Sequence, residues 1–342
     1  MKLKSISSMI LACALFITGC SSATEKTQGE SKVEESSSVT YPITVKHAFG
    51  ETVIEKEPKN VVAISWSNQD TPLALGVVPA GVSKANYGKT DENGLLPWTA
   101  AKYKELGVDK PVVFDDVDGL DYEAISNSKP DVILAAYSGI KQEEYDLLSK
   151  IAPVVAYPNL PWQTYWRDQI ITNATGMGKK AEGEKLVSDL EKLIAEKAAK
   201  YPNIKGKKVA FCYFSPTDLG KFYIYTSTDP RVAYLYDLGL VEADSVKEIA
   251  KDTKSFALTI SSENIDKLTD VDVIVAYGND ALLKQLQADK LLGTLPAIKN
   301  GAVALIEDGS ALAASATPSA LSIPATIDEY LNIIGEAADK VK

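Results

Sequence analysis

The sequence of 342 residues predicts an α/β protein with two lobes, mainly parallel sheets, and a single long helix that joins the lobes. After Tyr41, short apolar runs alternate with helical patterns, which is typical of parallel strands connected by helices. The chain is also longer than the roughly 250–300 residues beyond which one hydrophobic core stops growing. Finally, a helix-turn-strand unit occurs once in each half of the chain. Each lobe is therefore expected to be Rossmann-like.

The apolar runs place the strands of both lobes. Each run is short and rich in Val, Ile and Ala, as expected for strands that are buried on both faces. The expected strands are Val61–Ser65, Val77–Val82, Asp131–Ala136 and Val154–Tyr157 in the first lobe, and Val209–Tyr213, Tyr223–Tyr225, Asp272–Ala276 and Ala302–Ile306 in the second.

A connecting helix is predicted over residues 161–202, between an N-terminal lobe at 41–160 and a C-terminal lobe at 203–342. Apolar residues recur there at helical spacing until Tyr201 and Pro202 end the pattern. The recurring positions are Trp162, Trp166, Ile170, Ala174, Leu186, Leu190, Leu193 and Ile194. Gly176, Gly178 and Gly183 weaken the helix in its middle, so a kink or a break is expected at that point.

The N-terminus carries the pattern of an export signal at residues 1–19. Lys2 and Lys4 precede an apolar run, Met9–Ile17, which is too short to remain in a membrane as a spanning helix. The run ends in Ile17-Thr18-Gly19-Cys20, which resembles the lipobox of bacterial lipoproteins, so Cys20 is the predicted lipidation site. The alternative is an ordinary cysteine within a secretory signal.

Residues 20–40 are expected to form a flexible tether, because they are rich in Ser, Glu, Lys and Thr. If Cys13 is removed with the signal and Cys20 carries lipid, Cys212 remains as a core thiol without a disulfide partner.

The charge and the histidine count exclude several functions. A formal net charge of −10 and a pI near 4.9 argue against a nucleic-acid partner, which requires clustered Lys and Arg. His47 is the only histidine, so a multi-histidine metal site is not available. The scattered carboxylates give no paired acid and base, and no catalytic motif is present, so the chain is not expected to be an enzyme.

The repeated unit places a glutamate at corresponding positions of the two halves. Glu123 lies before the strand at Asp131–Ala136, and Glu263 lies before the strand at Asp272–Ala276. The alternative is that each glutamate merely complements the N-terminus of a short helix.

Residues 41–342 resemble the substrate-binding proteins of ABC importers for ferric siderophores, haem and cobalamin. The stretches that carry the resemblance are Pro58–Ala63, Leu73–Val82, Leu120–Ile125, Lys129–Ile133 and Ile151–Val155. The resemblance implies two lobes bridged by one long helix, with the ligand in a cleft between them. It also implies that Glu123 and Glu263 pair with arginines of a dimeric ABC permease.

The iron-siderophore branch is the predicted one, with cobalamin or haem binding as the alternative and a surface-anchored enzyme as a third. The siderophore is expected to hold the iron through its own oxygens, without a protein-bound metal or a resident cofactor. The protein is expected to be a monomer, anchored by lipid to the extracytoplasmic face of the cell membrane of a Gram-positive bacterium.

Aromatic residues that follow the strands are the candidates for ligand contact, because ligands of open α/β sheets bind at the carboxyl ends of strands. Rigid rings with polar edges hold a bulky ligand at little entropic cost. The candidates are Trp66, Tyr87, Trp98, Tyr137, Tyr213, Phe214, Phe222, Tyr225 and Tyr277. The alternative for each is packing in the core or at the rim.

Arg231 is a further candidate, because Thr226–Val232 leaves a strand and starts a helix with Asp229 and Pro230. A guanidinium there suits an anionic or carbonyl-rich chelate, and the alternative is a surface salt bridge. Arg167 is expected to serve the connecting helix. With only these two arginines, a strongly anionic chelate would depend on lysines, and the sequence therefore favours a less charged siderophore. The lysines in question are Lys84, Lys89 and Lys221.

Overall fold

The computed structural model of the chain describes residues 39–116 and 118–342. The predicted signal peptide, the lipidation site at Cys20 and the tether up to residue 38 lie outside the described residues. Residues Val39–Lys342 belong to one compact unit. Within the described ranges, no helix has both the length and the apolar composition needed to cross a membrane.

The N-terminal lobe is built on a parallel sheet. Its strands are β3 (Val61–Ala63), β4 (Gly81–Ser83), β5 (Val113–Phe114), β6 (Val132–Ala135) and β7 (Val154–Ala156), preceded by a hairpin of β1 (Ile43–His47) and β2 (Gly50–Ile54). They lie in the order β5-β4-β3-β6-β7. The helices of this lobe are α1 (Asp70–Ala74), α2 (Pro97–Glu105), α3 (Tyr122–Asn127) and α4 (Gln142–Leu148). Every residue of β3, β6 and β7 is buried, so their apolar runs were a reliable signal.

The predicted connecting helix is divided into α5 (Trp166–Gly176) and α6 (Lys180–Ala198). The break falls at Met177–Lys179, where Gly178 has a left-handed φ of 71°. A Cβ at Gly178 would lie 2.0 Å from the hydroxyl of Tyr41, so only glycine fits. The weak point predicted from the glycines is therefore a complete interruption.

Gly183 and Trp162 also depart from a continuous helix. A Cβ on Gly183 would lie 2.5 Å from the Cβ of Ala174, so this glycine lets α6 pack closely against α5. Trp162 precedes the helix instead of belonging to it, since it has a φ of 61° and lies in a loop. Its four-residue spacing from Trp166 misled the interpretation, although Pro158 and Pro161 are typical of a loop.

The C-terminal lobe contains a mixed sheet in the order β11-β9-β8-β12-β13, with β10 paired to β8. Its strands are β8 (Lys208–Ser215), β9 (Asp218–Tyr225), β10 (Val241–Glu242), β11 (Ala257–Ser261), β12 (Val273–Tyr277) and β13 (Val303–Ile306). Three of its five strand pairs are parallel, as the sequence predicted, whereas β9 runs antiparallel to both β8 and β11. Only Pro216 and Thr217 separate β8 from β9, and a parallel crossover needs a dozen residues or more.

Helices cover this sheet. They are α7 (Pro230–Asp237), α8 (Asp244–Ala250), α9 (Asp280–Ala288), α10 (Pro296–Asn300), α11 (Ala311–Ser315) and α12 (Ser322–Ala338), together with 3-10 helices at Ser262–Leu268 and Leu292–Thr294. Asp229 begins α7 by accepting a hydrogen bond from the backbone of Arg231, and Pro230 occupies the first turn.

An equivalent aspartate ties the central strands together in each lobe. The carboxylate of Asp131 accepts hydrogen bonds from the backbone N–H groups of Lys59 and Asn60, both at 2.9 Å. The carboxylate of Asp272 accepts one from the backbone of Lys208 at 2.8 Å. These contacts align β6 with β3 and β12 with β8, so the unit repeated in the sequence is also repeated in the structure.

Candidate functional site

A cleft of about 540 Å³ lies at the carboxyl ends of strands from both lobes. A volume of this size is within the range that holds small molecules in proteins, about 300–1,000 Å³. The N-terminal lobe and the loop that follows β7 contribute Trp66, Asn86, Tyr87, Tyr137 and Trp162. The C-terminal lobe contributes Tyr213, Tyr225, Arg231, Phe256, Tyr277, Asp308, Ala313, Ala314 and Thr317.

Arg231 is held in the cleft wall by contacts that include Asp229 and Tyr225. Its guanidinium donates two hydrogen bonds to the carboxylate of Asp229, at 2.8 and 2.6 Å. It also lies 3.9 Å from the centre of the Tyr225 ring, within the range of a cation–π contact. Because Asp229 is fully buried, the pair is an internal ion pair that borders the cleft. The pair is therefore not the surface salt bridge that was the alternative, and the contact of Arg231 with a ligand stays a prediction.

The tyrosines of the cleft present neutral hydroxyl groups. Burial raises the pKa of Tyr277 to about 12, and it also raises the pKa of Tyr137 and of Tyr225 above the ordinary value. At physiological pH these side chains are consequently hydrogen-bond donors and not phenolates. They can bind carbonyl-type or hydroxamate-type oxygens without adding charge to the cleft.

Tyr87 crosses the cleft. Its hydroxyl donates a hydrogen bond to Asp308 at 2.6 Å and accepts one from the backbone of Gly309 at 3.2 Å. Its ring meets that of Tyr277 edge to face, with centroids 6.2 Å apart. A residue of the loop after β4 is thereby bonded to the end of β13 in the other lobe.

Trp162 and Tyr137 form an aromatic corner of the cleft. Their ring centroids are 5.4 Å apart at an interplanar angle of 75°. A Cβ on Gly139 would lie 2.2 Å from the indole nitrogen of Trp162, so glycine is required for this packing. The backbone of Trp162 donates a hydrogen bond to Ser138 at 3.0 Å.

Comparison with known proteins identifies the family. A family profile described as "Periplasmic binding protein" matches residues 61–308. The chain belongs to this family. Its two lobes and the cleft between them are those of a periplasmic binding protein, as the sequence predicted.

Relatives of this periplasmic binding protein include siderophore-binding proteins. The chain is similar to PiaA of Streptococcus pneumoniae, solved in complex with ferrichrome, with 54% identity, a TM-score of 0.84, and coverage of 88% of this chain and 100% of that chain. The probable siderophore-binding lipoprotein YfiY of Bacillus subtilis is 26% identical over 312 residues, which are 88% of this chain and 89% of that protein. SirA of Staphylococcus aureus, solved with staphyloferrin B, is 25% identical, with a TM-score of 0.62 and coverage of 84% and 98%.

Three predicted contact residues do not line the cleft of this binding protein. Phe214 and Phe222 are buried in the core on the other face of the sheet, where their rings stack with centroids 5.3 Å apart. Side chains alternate along a strand, so the same β8 that brings Tyr213 to the cleft turns Phe214 away from it. Trp98 is buried in α2 and donates its indole N–H to Asp70 at 3.1 Å. These three assignments are corrected to core packing.

Seven of the residues that line the cleft were missed by the sequence reasoning, including Ala313 and Ala314 of α11. Asp308 follows β13 closely, so the rule that ligands bind at strand ends would have found it. Trp162 was placed in the connecting helix. Asn86, Phe256 and Thr317 lie in loops that give no local signal.

The two predicted docking residues are exposed and equivalent in position. Glu123 lies in the first turn of α3, and Glu263 lies in the first turn of the 3-10 helix Ser262–Leu268. Each of these helices precedes a central strand of its sheet, β6 or β12. Their pairing with permease arginines stays a prediction.

Other residues named from the sequence have structural roles. Cys212 is buried in the core, and burial raises the pKa of its thiol. Arg167 pairs with Glu191 and Asp237 at 2.6 and 2.8 Å, as expected for a residue that serves the connecting helices. His47 is buried, with Nε2 2.9 Å from the hydroxyl of Thr52. Within residues 39–116 and 118–342, no three His, Cys, Asp or Glu side chains are grouped as metal ligands.

Proposed function

We propose that this chain is an exported, lipid-anchored binding protein that captures a ferric siderophore and delivers it to an ABC permease for iron uptake. The observation that carries the proposal is the interlobe cleft of about 540 Å³, with its aromatic walls and its neutral tyrosine donors. The similarity to PiaA, which was solved with ferrichrome, supports the same ligand class.

The charges in the cleft favour a chelate with little net charge. The guanidinium of Arg231 is neutralised by Asp229, and Asp308 accepts a hydrogen bond from Tyr87. Among the described residues that line the cleft, Arg231 is the only Lys or Arg. Burying a strongly anionic chelate there would leave its charges without partners, which is costly. Ferrichrome is consequently the first candidate ligand.

The siderophore holds the iron through its own oxygens in this proposal. The cleft tyrosines are neutral, and the rings of Trp66, Trp162 and Phe256 offer no metal ligand. The protein's part is to surround the chelate with rings and to donate hydrogen bonds to its outer oxygens.

We also propose that lipid on Cys20 anchors a monomer to the outer face of the cell membrane of a Gram-positive bacterium, where Glu123 and Glu263 dock on a permease dimer. Two or more acyl chains give stable anchoring, whereas one does not. Replacing Cys20 by Ala should release the protein into the medium and abolish fatty-acid labelling; continued membrane retention and labelling would contradict the assignment.

The function is tested by quenching of tryptophan fluorescence in the full-length protein, purified in detergent. Trp66 and Trp162 line the cleft, so a bound ferric chelate should quench both. The titrants are ferrichrome, a ferric tricatecholate, ferric citrate, haem and cobalamin. Saturable submicromolar quenching by a siderophore supports the proposal, whereas a response to haem or cobalamin alone supports the alternative ligand.

A matched pair of tryptophan variants shows whether the quenching comes from the cleft. Trp162→Phe should reduce the amplitude of quenching, because this indole borders the cleft. Trp98→Phe should leave the fractional quenching largely unchanged, because Trp98 is buried in α2 and contacts Asp70. If both variants lost the same fraction of the quenching, the ligand would bind outside the cleft.

A further inference from the structure

A second cavity of about 220 Å³ adjoins the main cleft in the N-terminal lobe. The two spaces share Trp66, Asn86 and Trp162, which therefore stand at the boundary between them. We call the second space the side pocket. It has less than half the volume of the main cleft, so it admits a substituent of a ligand and not a whole chelate.

The side pocket lies where the sheet topology favours ligand binding. In the sheet, β4 lies on one side of β3 and β6 lies on the other, so the strand order reverses between β3 and β6. The crevice at the carboxyl ends of these two strands is therefore a topological switch point. Ser65 follows β3, Ser83 ends β4, and Gly139 follows β6, and all three line the pocket. Open α/β sheets commonly bind ligands in this crevice.

The walls of the side pocket are polar. The hydroxyl of Ser83 accepts a hydrogen bond from the backbone of Ser65 at 2.7 Å and donates one to the carboxylate of Asp116. Glu144 lines the pocket from α4, and its carboxylate accepts a hydrogen bond from the backbone of Lys141 at 2.8 Å. The Ser83 hydroxyl and the Lys141 backbone N–H are uncharged donors, so these two contacts do not neutralise the carboxylates.

Among the described residues that line the side pocket, Lys84 is the one Lys or Arg, and its charge is already paired. Its ammonium lies 3.1 Å from the carboxylate of Asp115, which does not line the pocket. The side pocket therefore has two carboxylates, those of Asp116 and Glu144, against one lysine that is already paired, and it adjoins a main cleft whose arginine is neutralised.

We propose that the side pocket binds a positively charged, amine-bearing arm of the siderophore while the ferric centre occupies the main cleft. This inference rests on the proposed function. An ammonium at the tip of a flexible arm would pass Trp66 and Trp162 and donate hydrogen bonds to the carboxylates of Asp116 and Glu144. Hydrogen bonds between charged groups are among the strongest that a binding site offers.

The test compares two chelates that differ only at the arm. The ferric complex of desferrioxamine B, a linear trihydroxamate ending in a primary amine, is titrated calorimetrically into the full-length protein in detergent. The same complex with the amine acetylated is the matched ligand, and ferrichrome is the reference for the main cleft. The amine form should bind about tenfold more tightly than the acetylated form, as expected for a charge-assisted hydrogen bond.

Variants assign the preference to the side pocket. Glu144→Gln and Asp116→Asn should each lower the ratio of the two affinities toward one. Glu143→Gln, an exposed neighbour on α4 that does not line the pocket, should leave the ratio unchanged. Because the Asp116 carboxylate also bonds Ser83, the Glu144 variant keeps the test valid if the Asp116 variant folds poorly.

The outcomes separate the two proposals. If ferrichrome binds but the amine and acetylated complexes bind equally, the side pocket inference is wrong and the proposed function stands. A preference for the amine that neither substitution reduces would also overturn the inference. If no siderophore binds, the proposed function is wrong, and the inference that depends on it is wrong too.

Discussion

The hydroxyl of Tyr87 lies 2.6 Å from the carboxylate of Asp308 and joins the two lobes across the cleft. The same oxygen accepts the backbone N–H of Gly309 at 3.2 Å. A single phenol oxygen therefore connects the loop after β4 to the end of β13. This bridge lies within the wall that a ligand would contact.

Removal of the bridging oxygen should weaken the connection between the lobes. In Tyr87→Phe, the ring remains against Tyr277 but both hydrogen bonds are lost, so the free energy of unfolding should fall by about 1 kcal/mol. Urea denaturation of the full-length protein measures the change, and amide exchange at Gly309 should become faster. Tyr223→Phe is the control, because Tyr223 is 40% exposed on β9. Equal destabilisation by the two variants would argue against the bridge.

Substitution of Arg231 should lower the free energy of unfolding mainly because it leaves Asp229 without its partner. Arg231→Gln leaves the fully buried carboxylate of Asp229 without a cation, and an uncompensated buried charge costs about 3–5 kcal/mol. Asp229→Asn in the same chain should recover much of this loss, since asparagine also caps a helix. Denaturation of the wild type, both single variants and the double variant measures the coupling. Purely additive effects would show that the ion pair does not stabilise the fold.

Asp70 should make the stability depend on pH. It is fully buried, and burial raises its pKa to about 6, although hydrogen bonds from Ser319, Thr99 and Trp98 oppose the shift. The folded state therefore binds a proton more tightly than the unfolded state, whose aspartate has a pKa near 3.9.

The free energy of unfolding of the wild type should consequently fall, relative to Asp70→Asn, as the pH rises from about 4 to about 6. The change in this difference should be up to about 3 kcal/mol, which corresponds to two pKa units. Urea denaturation of both proteins between pH 4 and pH 7 measures it. A difference that stays constant across this range would mean that the carboxyl does not titrate as stated.

Reversal of charge at the two exposed glutamates should separate docking from binding. If these glutamates dock on permease arginines as proposed, Glu123→Lys with Glu263→Lys should stop siderophore uptake by cells, because lysine would repel arginine, and should leave the affinity for ferrichrome intact. Glu143→Lys, also exposed on the N-terminal lobe, serves as the control. A fall in affinity would place these glutamates at the ligand instead of the permease.

Features that rest on local pattern were predictable from the sequence. The buried strands β3, β6, β7, β12 and β13 were found because their apolar runs reflect burial on both faces. Six of the aromatic candidates line the cleft, since the carboxyl ends of strands are a general location for ligands. They are Trp66, Tyr87, Tyr137, Tyr213, Tyr225 and Tyr277.

Features that depend on side-chain direction or on distant contacts were not predictable. Phe214 was misassigned because the face of the sheet on which a side chain lies depends on the pairing register of its strand. For β8, that register is set by its antiparallel pairing with β9. Trp98 was misassigned because its partner, Asp70, becomes a neighbour only on folding. The side pocket involves residues from four strand ends and a helix, so no single stretch of sequence contains its signature.

The contact between Tyr41 and Gly178 has a mechanical consequence. The described chain begins at Val39, and the Tyr41 hydroxyl fits against the break between α5 and α6. Tension applied through an anchor at the N-terminus would therefore enter the folded part beside the joint between the lobes. Neither Tyr41 nor Gly178 lines the cleft, so a pull at this point would not act directly on the residues that surround a ligand.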